Sequence, residues 1–235
     1  MSRPLFQLDP RLSAIAERVT RGRRVLDVGT DHALLPIWLC KTGVVPRAIA
    51  SDINPAPLKQ AQRNSELYQC GECLELRLSD GLKNIAPGEV DEIIIAGMGG
   101  EVIAEILLGV PWSRDPRFRW ILQPMSSAEK LRDALSESGF ALESEAAVRS
   151  GDWIYTLLTA VYTGKSETLS STSALRWIGR LDPMASPENR QYIRRQQRHI
   201  RNLAAGCRAR GETEAGEEYR ALERRLGDLI KNSEE

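Results

Sequence analysis

The stretch at residues 24–39, R-V-L-D-V-G-T-D-H-A-L-L-P-I-W-L, begins as an apolar run, turns at Gly29 and resumes an apolar pattern. Pro36 can lie in the helix that the second pattern indicates, because the first turn of a helix does not need every N–H. The stretch therefore predicts a strand, a tight turn and a helix. In α/β proteins, a turn at the carboxyl end of a strand is where a nucleotide-like ligand binds.

The composition is typical of a folded globular protein. The 235 residues suffice for one large domain, or for a domain with an appendage. Hydrophobic residues make up 42% and charged residues 27%, which favours a sizeable core over disorder. No apolar run is long enough to span a membrane, and the first ten residues lack a signal-peptide core. We therefore expect a cytoplasmic protein without a membrane partner.

Cys70 and Cys73 form a C-x-x-C motif, which is compatible with half of a zinc site or with a redox pair. No second pair follows at zinc spacing, and neither histidine, His32 or His199, lies nearby in the sequence. We favour an incidental pair in a polar loop, and we expect no metal.

Strand and helix patterns alternate from residue 25 onwards. The expected strands are residues 25–28, 48–53, 74–78, 92–96, 120–123, 140–148 and 153–162. The expected helices are residues 10–19, 33–41, 54–68 and 101–108, and one that Ser126 or Ser127 caps after Pro124 has stopped the fifth strand. This order implies an α/β fold, with a parallel Rossmann-like sheet closed by an antiparallel hairpin.

The C-terminal part has a different pattern. After a poorly patterned connection, helical spacing covers about residues 187–208 and 214–231, which predicts a coiled-coil-like α-helical hairpin. We therefore expect one domain at residues 1–165, and a connection with the C-terminal hairpin at residues 166–235.

Charge is unevenly distributed over this predicted hairpin, although the net charge of the chain is zero. Residues 187–210 contain seven arginines and one Glu, whereas residues 211–235 contain eight acids and four bases. Either the two helices attract each other, or the arginine face binds a phosphate backbone, and both can hold if pairing is partial. The candidate RNA-binding arginines are Arg190, Arg194, Arg195, Arg198 and Arg201.

Acidic residues accompany the ends of three consecutive strands. Asp27 and Asp31 are placed to hold the positive end of a ligand, whereas Asp52 suits ribose hydroxyls. Asp80, followed by Gly81, suits an adenine amino group. Each acid alone could instead be a helix cap or a solvated carboxylate without a ligand. Together, however, the ends of three consecutive strands line one crevice. The remaining residues expected at this crevice are Gly29, Thr30, His32 and Ile53.

The turn after the first strand lacks the G-x-G-x-x-G fingerprint of a dinucleotide site. Without those glycines there is less room for a pyrophosphate, which favours S-adenosylmethionine over NAD. The run of Ala96, Gly97, Met98 and Gly99 ends the fourth strand and is expected to form a wall of the same crevice. A tight strand-to-helix turn is the alternative interpretation of these glycines. Gln123, at the end of the fifth strand, is a candidate for contact with a base edge.

Four blocks carry a family resemblance: D-V-G-T-D-H-A-L-L-P at 27–36, D-G-L at 80–82, E-V-D-E-I-I-I-A-G-M-G-G at 89–100 and I-L-Q-P at 121–124. They resemble the bacterial tRNA (adenine-22-N1)-methyltransferase family, the TrmK type, over residues 10–160. The resemblance implies a class I methyltransferase sheet, S-adenosylmethionine as donor, and N1 of a D-loop adenine as acceptor. The chain departs from the family at residues 51–57, S-D-I-N-P-A-P, where a Glu-Val and a Gly-Pro are usual. Asp52 can still hold the ribose.

The implied reaction needs no nucleophilic residue, because N1 of neutral adenine has a free lone pair. Positioning and electrostatics should then carry most of the rate, once the target base has left its stack. The candidate catalytic residues are Asp31, His32 and Gln123, with Asp31 orienting the adenine amino group or steadying the developing charge. Alternatives are methylation of another RNA base or of a small molecule, and a non-catalytic module that binds S-adenosylmethionine. We expect a monomer with tRNA as its partner.

Overall fold

Seven strands form one sheet in the computed structural model, which describes residues 4–233. The strands are β1 (Val25–Val28), β2 (Ala48–Asp52), β3 (Leu74–Leu78), β4 (Glu92–Gly99), β5 (Arg119–Ser126), β6 (Phe140–Ser150) and β7 (Trp153–Tyr162). Their order is β3-β2-β1-β4-β5-β7-β6, and β7 runs in the opposite direction to the other six strands. The predicted Rossmann-like α/β sheet with a closing hairpin is therefore confirmed.

Helices cover both faces of this sheet. They are α1 (Pro10–Ala16), α2 (Leu34–Lys41), α3 (Pro55–Leu67), α4 (Gly100–Leu108), α5 (Ala128–Glu137), α6 (Ala174–Ile178), α7 (Pro187–Ala209) and α8 (Thr213–Lys231). In β4, Ile93 and Ile95 pack in one apolar layer with α4 and α5, whereas Ile94 packs in the opposite layer with α1, α2 and α3. Burial on both faces explains the unbroken apolar run of this strand.

The fifth strand continues through Pro124, so the prediction that this proline stops the strand is wrong. Pro124 pairs with Met98 in an irregular stretch of the β4–β5 ladder. On the other side, pairing of β5 with β7 ends at Leu122, so the missing N–H of Pro124 removes no ladder bond there. As a result, β4 and β5 both extend beyond their predicted ends at residues 96 and 123.

The predicted hydroxyl cap of α5 is also absent. Ser126 is the last residue of β5, and Ser127 occupies the N-cap position with a φ of 53° and no side-chain cap hydrogen bond. By contrast, Asp9 caps α1 by accepting a 2.8 Å hydrogen bond from the backbone N–H of Leu12.

The C-terminal hairpin, α7 and α8, packs against the β6–β7 hairpin. Ile193 of α7 and Leu222 of α8 share an apolar cluster with Ala147 and Ile154. A buried ion pair between Arg132 and Glu145 lies beside this cluster. Arg132 also donates hydrogen bonds to the carbonyl oxygens of Arg176, at 3.0 Å, and Trp177, at 3.2 Å. The predicted domain boundary at residue 165 stays a prediction, since these contacts cross it.

The C-x-x-C motif lies at the turn into β3. Cys70 and Cys73 are both free thiols and pack in the same apolar layer as α2 and α3. Burial raises the pKa of the Cys70 thiol to about 11, so the thiol stays protonated near neutral pH. Over residues 4–233, no group of three or more His, Cys, Asp and Glu side chains is arranged to hold a metal ion. In the same part of the chain, no helix is both long and apolar enough to cross a membrane.

Candidate active site

A cleft in two parts opens at the carboxyl ends of the parallel strands. The larger part, of about 560 Å³, lies between the β1–α2 turn and α4. The smaller part, of about 360 Å³, lies between the same turn and α1. Gly29, Ala96 and Gly97 line both parts, so one extended ligand can contact both across these residues.

The β1–α2 turn brings its backbone close to the cleft. The N–H groups of Gly29 and Thr30 both donate to the carbonyl oxygen of Ser51, at 2.8 and 2.9 Å. Gly29 has a φ of +73°, and a Cβ at this position would overlap the terminal methyl group of Met98. The positive φ is what favours glycine at this position, since the flexible end of the Met98 side chain could move away from a Cβ.

Asp27 is a buried acid under this turn. Its side chain accepts a 2.6 Å hydrogen bond from the hydroxyl of Thr30. Burial raises the pKa of Asp27 to about 6, and the negative charge of Asp52 adds to this effect, whereas Thr30 and Arg11 oppose it. Asp27 therefore changes its charge close to neutral pH, and a cation in the smaller part of the cleft would favour its ionised form.

Asp31 and His32, two of the candidate catalytic residues, line the smaller part of the cleft. The Asp31 side chain is 85% exposed, and one of its carboxylate oxygens lies 3.2 Å from Nε2 of His32. His32 and Ala33 both have left-handed backbone conformations, which are uncommon for residues other than glycine. Asn64 of α3 donates a 2.8 Å hydrogen bond to the carbonyl oxygen of His32 and so stabilises this bend.

The larger part of the cleft contains the other predicted acids. Asp52 accepts a 2.7 Å hydrogen bond from the N–H of Asn54, and Asp80 pairs with Lys83 at 2.5 Å. Two apolar side chains, Ile53 and Val102, line this part although they are 58% and 46% exposed. Exposed apolar groups beside carboxylates suit a ligand that carries a flat ring and hydroxyl or amino groups.

The side chain of Gln123, a candidate for contact with a base edge, makes its hydrogen bonds within the chain. Its side chain is buried, and Oε1 accepts hydrogen bonds from Arg11, at 3.0 Å, and from the N–H of Gly97, at 3.2 Å. Its Nε2 donates to the carbonyl oxygen of Pro124 at 3.0 Å. With its amide committed to these partners, Gln123 holds the cleft wall in place and is not available to a base.

Most of the predicted cofactor-binding residues line the cleft, but Gly99 does not. Gly99 lies where α4 begins, and a Cβ there would contact the hydroxyl of Ser126 at 3.5 Å. Lining residues that were not predicted from the sequence include Arg11 and Met125 in the smaller part, and Val102, Glu105 and Ile106 in the larger part. Arg11 precedes β1 on α1, where no local motif marks it as a site residue.

The candidate RNA-binding arginines of α7 differ in their contacts and exposure. Arg190 is half-buried and donates a 2.8 Å hydrogen bond to the carbonyl oxygen of Pro183, which corrects its assignment to an open RNA-binding face. Arg201 pairs with Glu223 of α8 at 2.6 Å, as expected if the two helices attract each other. Arg195 and Arg198 are exposed. RNA contacts by the arginines of α7 stay a prediction.

The sheet order and the cleft at its carboxyl edge define a Rossmann-like protein with a site for an adenosine-like ligand. A family model described as a methyltransferase domain matches residues 8–158. The chain belongs to this methyltransferase family.

Three comparisons with individual sequences and structures narrow the family. The tRNA (adenine(22)-N(1))-methyltransferase of Bacillus subtilis (strain 168) is 35% identical over 155 residues, which span 66% of this chain and 65% of that protein. The crystal structure of the B. subtilis M1A22 tRNA methyltransferase TrmK has a TM-score of 0.79 at 28% identity, covering 98% of this chain and 99% of that chain.

The third comparison is with the crystal structure of Sp1610 of Streptococcus pneumoniae, a putative tRNA (m1A22) methyltransferase, in complex with S-adenosyl-L-methionine. It has a TM-score of 0.77 at 28% identity and covers 95% of this chain and 100% of that chain. The resemblance to TrmK-type proteins that the sequence blocks predict is thus confirmed, and it extends to the C-terminal helical hairpin.

Proposed function

We propose that the chain is an S-adenosylmethionine-dependent methyltransferase that modifies N1 of an adenine in tRNA, at position 22 of the D-loop. The observation that carries this proposal is the similarity to the B. subtilis M1A22 enzyme, which covers the cleft and the helical hairpin together. A methyltransferase for a small molecule would share the cleft, but it would have no use for an arginine-rich hairpin beside it.

The residues of the cleft fit S-adenosylmethionine. Asp52, Asp80 and Gly81 line the larger part, where Asp52 would accept hydrogen bonds from the ribose hydroxyls and Asp80 with Gly81 would contact the adenine end. Ile53 and Val102 offer apolar contact to the adenine ring. In the smaller part, Arg11 and Asp27 offer opposite charges to the carboxylate and the ammonium of the amino-acid end. When bound, the cofactor supplies an electrophilic methyl group.

The chain's own contribution to the reaction is positioning. Gln123 fixes the N–H of Gly97, so the wall between the two parts of the cleft keeps its shape. We expect Asp31, which is exposed at the mouth of the cleft, to accept a hydrogen bond from the exocyclic amino group of the target adenine and to stabilise positive charge on the ring. Adenine N1 carries no proton at neutral pH, so no general base is needed before methyl transfer.

A methyl-transfer assay tests this proposal. Purified protein is incubated with S-adenosylmethionine carrying a tritiated methyl group and with bulk bacterial tRNA, and the labelled nucleoside is identified after digestion. We expect label in 1-methyladenosine, and its loss in Asp52→Ala, because that variant lacks the ribose acceptor. A protein that binds the cofactor but transfers no label to tRNA would contradict the proposal. Label in another nucleoside would favour the alternative, methylation of a different RNA base.

Two related expectations accompany this function. A tRNA substrate would place the enzyme in the cytoplasm, as the sequence composition predicts. One chain supplies both parts of the cleft and the helical hairpin, so a monomer would be sufficient for activity.

A further inference from the structure

The tip of the β6–β7 hairpin carries an aromatic side chain to which the proposed reaction gives no role. Trp153 is the first residue of β7, and its side chain is 64% exposed. A hollow of about 360 Å³ lies beside it, lined also by arginines of β6 and α7. We call Arg149, Trp153, Arg195 and Arg198 the tip surface.

The charge of the tip surface is mainly positive. Arg195 and Arg198 are exposed and three positions apart, so they lie on the same side of α7. The guanidinium carbon of Arg195 lies 4.8 Å from the ring centre of the buried Tyr192, which orders this side chain. Two acids lie nearby: Asp152 lines the hollow, and Glu188 is 4.0 Å from Nε of Arg149.

Arg149 is held by neighbours but remains accessible. Its guanidinium donates a hydrogen bond to the side chain of Gln191, and the side chain is 43% exposed. Glu188 offsets part of the charge of Arg149, whereas Arg195 and Arg198 contribute positive charge next to the exposed indole. An exposed indole among arginines can bind a nucleic-acid strand, because a base can stack on the ring while phosphates contact the guanidinium groups.

The tip surface lies on the same edge of the sheet as the cleft. Leu122 of β5 pairs with Leu158 of β7, and the two strands are antiparallel. The N-terminal end of β7, at Trp153, therefore lies toward the same edge of the sheet as the C-terminal end of β5. At the usual rise of a strand, Trp153 projects roughly 16 Å beyond the Leu158 row, past the edge where the cleft opens.

We propose that the tip surface docks a strand of the substrate tRNA, with one unstacked base on the indole of Trp153 and adjacent phosphates on Arg195 and Arg198. This inference rests on the proposed function. It assigns RNA binding to the tip of the β6–β7 hairpin instead of to Arg190 and Arg201, which make contacts within the chain. Trp and Arg are also enriched in protein interfaces, so the salt dependence of binding, measured below, distinguishes an RNA strand from a protein partner.

Point substitutions test the tip surface while keeping the fold. Deleting α7 and α8 is unsuitable, because their apolar residues share a cluster with Ala147 and Ile154 of the sheet. The test variants are Trp153→Ala and the double variant Arg195→Ala/Arg198→Ala. Trp153→Phe preserves a stacking ring, and Arg63→Ala removes an exposed arginine from α3, at the opposite end of the sheet.

The measurement is the Kd of the full-length protein for an unmodified tRNA transcript, as a function of salt concentration. We expect Trp153→Ala to weaken binding roughly tenfold, and Trp153→Phe to restore most of the loss. The double arginine variant should weaken binding. It should also lower the slope of log Kd against log salt concentration by the equivalent of about two phosphate contacts. Arg63→Ala should bind as wild type does, and the Kd for S-adenosylhomocysteine should be unchanged in every variant.

The outcomes separate this inference from the proposed reaction. If wild-type protein methylates tRNA but Trp153→Ala and the double variant bind tRNA as tightly as wild type, docking at the tip surface is overturned while the reaction stands. If these variants lose tRNA affinity although wild-type protein transfers no methyl group, docking is supported and the reaction fails. Equal loss in the test variants and in Arg63→Ala would also overturn a localised docking surface.

Discussion

Arg11 of α1 donates a 3.0 Å hydrogen bond to Oε1 of Gln123 of β5, a residue 112 positions away. The same oxygen accepts the N–H of Gly97, and the amide nitrogen of Gln123 donates to the carbonyl oxygen of Pro124. One buried amide therefore joins the first helix to the two central strands where the two parts of the cleft meet. The shape of the cleft depends on a contact that no local sequence motif encodes.

Replacing Gln123 with Leu should damage the cleft. The variant leaves the N–H of Gly97 and the Arg11 guanidinium without their acceptor, at a cost of about 1–3 kcal/mol in the free energy of unfolding. We expect the turnover number to fall by roughly tenfold, since positioning carries the proposed reaction. Gln123→Glu keeps an acceptor for both donors and loses the donation to Pro124, so it should retain more turnover than Gln123→Leu. Normal turnover and stability in Gln123→Leu would remove the structural role assigned to this amide.

The buried Asp27 predicts a pH dependence of cofactor binding. Its pKa is raised from 3.8 to about 6, chiefly by burial, so the carboxyl group becomes neutral as the pH falls through about 6. The affinity for cationic S-adenosylmethionine, measured by calorimetry, should therefore decrease below that pH. Asp27→Asn should bind more weakly and show no such change. An unchanged affinity of the wild type across this range would contradict a charge interaction with Asp27.

The same raised pKa has the opposite effect on folding. Because the folded-state value lies above the ordinary one, the folded protein favours the protonated form of Asp27. The contribution of Asp27 to stability is thus present at low pH and is lost as the pH rises through about 6. Without ligand, Asp27→Asn should therefore gain stability relative to wild type above this pH, as measured by urea denaturation. No relative gain would indicate an ordinary pKa.

Asp31→Ala should separate catalysis from cofactor binding. The side chain is 85% exposed at the mouth of the cleft, where it can meet the target adenine. We expect turnover on tRNA to fall by more than about tenfold, in the range seen when a stabilising group is removed from a transition state. The Kd for S-adenosylmethionine should change less, and Asp31→Asn tests whether the charge is required. Equal losses in turnover and cofactor affinity would refute the catalytic role.

The pair of Arg132 and Glu145 predicts that the sheet and the C-terminal part unfold together. Both side chains are buried, and Arg132 also binds the carbonyl oxygens of Arg176 and Trp177. Arg132→Met leaves a buried carboxylate unpaired, so we expect a loss of about 3–5 kcal/mol in a single urea transition. The double variant Arg132→Met/Glu145→Leu should recover most of it. Two separate transitions in the wild type would show that the parts unfold independently.

The sequence predicted those features that depend on local pattern. The run at residues 24–39 folds as strand, turn and helix, and Asp52 and Asp80 follow from their places at strand ends. Alternation of strand and helix patterns was sufficient to predict the sheet, because crossovers between parallel strands have a preferred hand. The helical hairpin followed from the spacing of its apolar residues.

Features that depend on distant partners were not predictable from the sequence. Pro124 continues β5 only because β7 has already left the ladder at that row, which no property of residues 120–126 reveals. The contact of Arg11 with Gln123 requires the fold to bring α1 over the end of β5. Likewise, the count of arginines on α7 did not show that Arg201 faces Glu223.

Mapping the methylated nucleotide tests the central claim most directly. Two tRNA transcripts, one with adenine at position 22 and one with guanine there, are incubated with the protein and S-adenosylmethionine. Methylation of N1 blocks base pairing, so reverse transcription stops next to the modified base. We predict a stop one nucleotide 3′ of position 22 in the first transcript and none there in the second. Methyl incorporation that persists in the second transcript, or a stop elsewhere in the first, would contradict the assignment.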